Sequence, residues 1–231
     1  MDVFALLADG TTVEIRPAAP GDVEAVRAMH AGMSPDNLYL RFFSFSRTNA
    51  ETEARRVCRE PAPGHAALLA LAAGELIGCA SYEAAGAGST AEVAFAVADS
   101  MHHRGIATLL LEHLVSLARS QQVTMFTAET LDENSAMQRV FADAGLPCQR
   151  RRANGLVEVT IPLPRGDADT ALESYLTTVG EREQAADVAS LRHLLAPASV
   201  AVIGASPRPG AVGLAILGNI VPAVTPAACM R

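Results

Sequence analysis

The chain has 231 residues, with 18 basic and 25 acidic side chains for a formal net charge of −7; it is 50% hydrophobic but only 4% aromatic. That balance excludes a general nucleic-acid or polyanion binder, which carries net positive charge. It also excludes wholesale disorder, because half of the residues can pack a core.

The opening Met1–Gly10 has no basic stretch followed by a long apolar one, so it does not read as a secretory signal. The apolar runs further on are too short to span a membrane. A soluble, cytoplasmic protein without membrane or nucleic-acid partners is the expectation. All 18 basic residues are Arg, so the chain has no lysine of its own to modify. Cys58, Cys79, Cys148 and Cys229 show neither metal-ligand nor C-x-x-C spacing and read as reduced thiols, with Cys79 and Cys148 in strand patterns and expected in the core.

Thr12–Arg16 reads as a strand and Pro17–Gly21 as a turn. Val23, Val26 and Met29 recur at helical spacing within Asp22–Ala31. Ser34-Pro35 opens a second helix, Ser as N-cap and Pro in the first turn, with Leu38, Leu40, Phe42 and Phe43 as its apolar residues. Thr48–Glu51 reads as a capping box for a third helix ending near Glu60. The period then changes to that of strands. Ala66–Ala72, Leu76–Tyr82 and Thr90–Ala98 form a meander with turns at Gly74-Glu75 and Gly86–Ser89. A long amphipathic helix follows at Ile106–Gln121, with a stripe of Ile106, Leu109, Leu110, Leu114 and Leu117. Val123–Thr130 is a strand, Asn134–Ala144 a helix capped by Gly145, and Cys148–Arg152 with Val157–Pro162 a closing hairpin around Asn154-Gly155.

This order is that of an α+β domain over residues 1–164, with a mostly antiparallel sheet and one β-α-β crossover. Residues 165–197 read as a linker, Pro164–Asp169, and a polar-rich helix, Ala171–Leu195. In 198–231, Ser199–Ala205 has a buried-strand pattern, followed by a glycine-rich loop and an apolar helix start. That is the beginning of a nucleotide-binding α/β domain without its remaining sheet.

The main chemical signal lies where a strand runs through His103-Arg104-Gly105 into the long helix. Unpaired N–H groups at a helix start form an anion site. Gly105 allows close backbone approach, Ala107 keeps the next turn narrow, and Arg104 adds charge. No Gly-Lys-Ser/Thr follows, so this is not an NTPase P-loop. The strand puts Val93, Phe95 and Val97 on one face and Glu92, Ala94, Ala96 and Ala98 on the other. The alanine face is either covered by a close-packed helix, with Glu92 at a solvated edge, or open to a ligand. The neighbouring anion loop favours the ligand.

His102-His103-Arg104-Gly105-Ile106-Ala107 resembles motif A of the GNAT acyltransferases, Gln/Arg-x-x-Gly-x-Gly/Ala, with His102 replacing the usual first residue. The element order is similar to the GNAT fold across the first domain. Within the superfamily, three stretches resemble the Pat-type protein lysine acetyltransferases: His30–Phe43, Ala91–Val97 and Glu133–Leu146. Ser199–Gly213 resembles the start of the CoA-binding domain of NDP-forming acyl-CoA synthetases, an incomplete Rossmann-like fragment whose likeness fades after Ile220 and suggests a truncated product.

The resemblance implies acetyl-CoA as co-substrate, no metal, and Glu92 as catalytic base. It implies a cofactor site made of Phe95, Ala96, Val97, His103, Arg104, Gly105, Ile106, Ala107 and Thr108, joined by Asn134, Met137 and Phe141. A backbone N–H near Phe95 would hold the oxyanion. Phe141 stands where many GNAT enzymes keep a proton-donating Tyr. A lysine arrives protonated, with a pKa of about 10.4, and a partly desolvated Glu92 would take its proton directly or through water. The implied target is a protein lysine of an AMP-forming acyl-CoA synthetase. Two alternatives stand beside it: a small-amine acetyltransferase, favoured by an acidic pocket of Asp36, Glu51 or Glu83, and a non-catalytic acyl-CoA sensor. Asn134 is also a plain N-cap candidate. His102 and His103 read as solvated polar residues. Arg150–Arg152 reads as a solvated hairpin edge, with a contact to the CoA 3′-phosphate or an acidic target as the sharper reading.

Overall fold

In the computed structural model, which describes residues 3–220 apart from 8, 44–46, 85–88, 165–169, 196, 198, 205, 207 and 209, the strand and helix periods recur in the expected order. The strands are β1 (Val3–Leu6), β2 (Thr12–Pro17), β3 (His65–Ala72), β4 (Glu75–Ala84), β5 (Thr90–Val97), β6 (Met125–Leu131), β7 (Gln149–Ala153) and β8 (Leu156–Pro162). The helices are α1 (Val23–Gly32), α2 (Pro35–Phe42), α3 (Arg47–Val57), α4 (Ile106–Ser120), α5 (Ser135–Ala142), α6 (Thr170–Leu195) and α7 (Val212–Ile220). Two compact units are present, Met1–Ser190 and Leu191–Arg231.

The sheet belongs to the first unit, in the order β1-β2-β3-β4-β5-β6-β8-β7. Every neighbouring pair is antiparallel except β5 and β6, which run parallel on either side of the α4 crossover. β1 is an addition to the sequence reading. Its Val-Phe-Ala-Leu run lacks polar alternation and leaves Phe4 69% exposed, so no half-buried pattern marks it.

Both faces of the sheet are covered. On one face, Ile106, Leu110 and Leu114 of α4 pack with Tyr82, Val93, Phe95 and Phe126. On the other, Val26 and Met29 of α1, Leu38 of α2 and Ala54 of α3 meet Leu69, Cys79 and Ala96. The expected stripe on α4 is displaced: Leu111, Val115 and Ala118 are buried, while Leu109 and Leu117 are half-buried. Those three belong to the core cluster that α4 forms over the sheet, while α6 touches α4 on the side of Glu112. The Tyr175 hydroxyl donates to the Glu112 carbonyl at 3.0 Å, Arg182 pairs with the Glu112 carboxylate, and Tyr175 is buried in the core.

Ser34 caps α2 as expected, its hydroxyl accepting the Asn37 N–H at 3.3 Å. α3 starts at Arg47, upstream of Thr48, and ends at Val57, so Thr48–Glu51 lies inside the helix and not at its cap. α5 ends at Ala142, leaving Gly145 beyond the cap position, at φ +71°. Cys148 sits just outside β7, half-buried, whereas Cys79 is core. The expected turn at Gly86–Ser89 and the linker after Pro164 fall largely outside the described residues.

In the second unit α7 forms, but the expected strand at Ser199–Ala205 does not. Described residues 199–204 have no regular structure, Val200 and Ile203 are 55% and 97% exposed, and Ala205 lies outside the described residues. An apolar run cannot be a strand without a neighbour to share its hydrogen bonds.

Candidate active site

β5 positions the site because its partnership with β6 is short. Only Thr90–Met125, Ala91–Phe126 and Glu92–Thr127 pair before the two strands part. A cavity of about 480 Å³ opens there, lined by β5 from Glu92 to Val97. The polarity of its edge follows from strand alternation. Ala98 N–H donates to Ile77 C=O on the β4 side at 3.0 Å, so the main-chain groups of Phe95 and Val97 face the β6 side. The Val97 carbonyl is taken by Asn37 Nδ2 at 3.0 Å and lies 3.1 Å from His102 Nε2. The Phe95 N–H is directed into the gap.

At one end lies the loop before α4. His103 and Gly105 both adopt left-handed backbone, at φ +60° and +86°. This double reversal presents the start of α4 to the cavity, where Gly105 as N-cap supplies no side-chain cap. A Cβ at Gly105 would meet no atom within 4 Å, so the space in front of these amides is open. His103, Gly105, Ile106, Ala107 and Thr108 all line the cavity.

The Arg104 side chain turns elsewhere. Its guanidinium pairs with Asp9, donates to Thr11 Oγ1 at 2.8 Å and lies 3.0 Å from Met101 Sδ. Hydrogen bonds from Thr11 and Arg104 hold the Asp9 carboxyl down to about 2. The residue expected to bring charge to an anion thus anchors its loop to the β1–β2 turn.

His102 is half-buried in a network and not simply solvated. Asn37 Nδ2 also bonds Asp99 Oδ1 and lies 3.1 Å from His102 Nε2, while Ser34 N–H donates to Asp99 Oδ2 at 2.8 Å. α2 is thereby tied to the end of β5. Leu40 and Arg41 of α2, with Phe43 after it, wall the opposite end of the cavity. These α2 residues, and Ala128–Thr130 of β6, were not legible as site residues, because only the tertiary fold brings them to β5.

Glu92 stands at the point where β5 and β6 separate. It is exposed, not partly desolvated, and makes no hydrogen bond or ion pair with a described residue. Asn134 lines the cavity as the N-cap of α5, its side chain accepting the Met137 N–H at 3.1 Å. Met137 lines it too, and buried Phe141 meets Phe95 edge-on at 6.1 Å between ring centres. Asp36, Glu51 and Glu83 are not among the lining residues. Arg151 and Arg152 on the exposed β7 pair with Glu158 and Asp132, as a hairpin edge would. Among the described residues, no group of three His, Cys, Asp or Glu is arranged to hold a metal, and no helix is long and apolar enough to cross a membrane.

The sequence profile of the Acetyltransferase (GNAT) family matches residues 34–146. Acetyltransferase Pat of Mycolicibacterium smegmatis is 31% identical over 155 residues, 66% of this chain and 46% of that protein, so the chain spans about half of this curated relative. The crystal structure of the GNAT domain of S. lividans PAT is 30% identical at a TM-score of 0.65, with 70% of this chain and 97% of that chain covered. The yncA acetyltransferase from Salmonella typhimurium, solved with acetyl-CoA, shares the fold at 19% identity and a TM-score of 0.50, covering 69% and 98% of the two chains.

Proposed function

This chain belongs to the GNAT acetyltransferase family, and from that premise we propose that it transfers an acetyl group from acetyl-CoA to the side-chain amine of a protein lysine. The observation that carries the reading is the gap between β5 and β6. It has the amides of a helix start at one end, the Phe95 N–H in the middle and at the other Glu92, a carboxylate without a partner among the described residues.

Acetyl-CoA supplies the thioester. Its pyrophosphate would sit against the amides from His103 to Thr108, held by hydrogen bonds and the positive end of the α4 dipole. Arg104, paired with Asp9, keeps that cradle in place. The pantetheine arm would run along β5 and past Asn134 and Met137. Glu92, without a partner among the described residues, would take the lysine proton directly or through water as the amine attacks. The Phe95 N–H would hold the oxyanion. Phe141 has no proton to give, so the thiolate leaves as such or is protonated by water or the amine.

The small-amine alternative expected an acidic pocket of Asp36, Glu51 or Glu83; none of these lines the cavity, whose acidic lining residues are Glu92, Glu129 and Asp143. The likeness to an acetyltransferase named Pat supports a protein acceptor, and the acceptor in this reading is a lysine within an AMP-forming acyl-CoA synthetase.

The test is kcat against pH for the wild type and Glu92→Gln, with a lysine-bearing synthetase as acceptor. A general base contributes roughly 10²- to 10⁴-fold, or about 3–5 kcal/mol of barrier. The variant should lose that much at neutral pH with acetyl-CoA affinity unchanged. The loss should shrink as pH approaches the lysine pKa of about 10.4, where free amine needs no base. Profiles that run parallel from about pH 7 to about 9.5 would remove Glu92 from this role.

A further inference from the structure

The face of the sheet that carries Glu92 also carries a row of polar side chains in register. His65 on β3 is opposite Glu83 on β4, Glu83 is opposite Glu92 on β5, and Glu92 is opposite Thr127 on β6. Directly opposed residues on one face have Cβ atoms about 4.5–5.5 Å apart, and like charges so placed repel. Glu83 and Glu92 form such a pair.

The surroundings treat the two carboxylates unequally. Glu83 receives Arg56 Nε at 3.0 Å and Arg59 Nη2 at 2.6 Å. Arg56 is held in that place by Glu53 at 3.6 Å, and Glu53 in turn takes Arg41 at 2.5 Å. Glu92 has no direct partner among the described residues, though its charge reaches Arg56.

Among the described residues, the ion-pair chain beside Glu92 is made of Glu83 across the β4 ladder, Arg56 and Glu53 on α3, Arg59 just past α3 and Arg41 on α2; Glu129, two residues beyond Thr127 on β6, Arg139 on α5 and Asp143 just past it line the same cavity as Glu92. His65 ends the row on β3, and burial pushes its pKa down, so it adds no cation at neutral pH. In that chain, counted with Glu92, three arginines stand against three glutamates, and Glu92 is the glutamate of the three without a contact among the described residues.

We propose that Arg56 is a positioning residue for Glu92: set between Glu83 and the Glu92 charge, and joined at Glu83 by Arg59, it offsets the repulsion across the ladder and leaves Glu92 without a contact among the described residues and free to accept a proton. This rests on the reading of Glu92 as the general base. Arg56 touches neither substrate nor cofactor in this scheme. It acts through the charge balance of the Glu83–Glu92 pair, which Arg59 shares at Glu83.

The experiment is kcat/KM for the acceptor against pH, from about 5 to about 9.5, at saturating acetyl-CoA. The proteins are the full chain, Glu92→Gln, Arg56→Gln and the double variant Arg56→Gln/Glu83→Gln. The wild type should show an inflection below neutral pH that Glu92→Gln lacks. In Arg56→Gln, with Arg59 still on Glu83, that inflection should move up by a fraction of a pH unit, the direction expected of a carboxylate that loses a nearby cation beside a like charge. Activity should fall a few-fold on the acid side and return toward wild type on the alkaline side. Removing the Glu83 charge as well should restore the inflection to its place.

An inflection in Arg56→Gln that coincides with that of the wild type overturns the proposal. So does a loss that is the same at every pH and persists in the double variant, which is the signature of a merely structural arginine. If the wild-type inflection survives in Glu92→Gln, the base reading falls and the proposal falls with it. The two failures are therefore told apart by which variant fails to behave.

Discussion

Asp9 and Arg104 lie 95 positions apart, yet their pairing fixes the loop in front of α4. The prediction at this scale is that Asp9→Asn raises the acetyl-CoA KM several-fold with kcat nearly unchanged, because the cradle loosens while Glu92 and Phe95 stay in place. Steady-state kinetics with acetyl-CoA varied check it; a fall in kcat at constant KM would contradict it. The sign with pH is fixed by the low Asp9 pKa. The carboxyl is held down to about 2, so its contribution is present above the ordinary carboxylate range and is lost only as pH falls through about 2. The KM should therefore be indifferent to Asp9 titration at working pH. Gly105 and Asn134 were readable from sequence because a left-handed turn and an N-cap are local needs of the backbone. Asn37 was not. Its site role comes from Val97, 60 positions away, and its neighbours in the chain mark only a helix start.

The elements that follow a strict period declared themselves, and those that depend on a partner did not. β3 to β6 and α4 could be located because two-residue and 3.6-residue repeats survive in the sequence. β1 lacks alternation, and the apolar run after Ser199 has no neighbouring strand among the described residues. The part of the buried face of α4 formed by Leu111, Val115 and Ala118 was also missed, since the breadth of that face depends on how the helix lies on the sheet. The contact between α6 and the turn after α5 is tight enough to test. Gly145 has φ +71°, and a Cβ there would lie 2.5 Å from Thr178 Oγ1 and 2.7 Å from Thr178 Cβ. Gly145→Ala should cost about 1–3 kcal/mol from backbone strain and overpacking together. Thr178→Gly in the same chain should recover the packing part and not the strain. Denaturant unfolding of the two variants measures this, and an unchanged midpoint for Gly145→Ala would show that α6 yields freely.

For the molecule as a whole, buried histidines set the direction in which acid acts. Burial lowers the pKa of His30, His65 and His113, and His30 and His65 are only 1% and 2% exposed. The folded state keeps them neutral, while the unfolded chain takes up protons below its histidine pKa of about 6.5. Stability is thus greatest above that value and falls as pH drops below it, by up to about 1.4 kcal/mol per pH unit for each histidine. Calorimetry should show Tm declining between about pH 7 and about pH 5, before carboxylates such as Asp9 and Asp22, both held low, begin to titrate. A flat Tm over that range would mean that these histidines protonate in place. The parting of β5 from β6 carries a mechanical meaning as well. Five strands lie on one side of that seam and three on the other, joined across the sheet by three residue pairs. A cofactor lying along the open edge of β5 would act as a splint across the seam. The free protein should then breathe there, its Phe95 amide exchanging with solvent faster than its burial implies, and the loaded protein should unfold as one piece where the empty one opens in two.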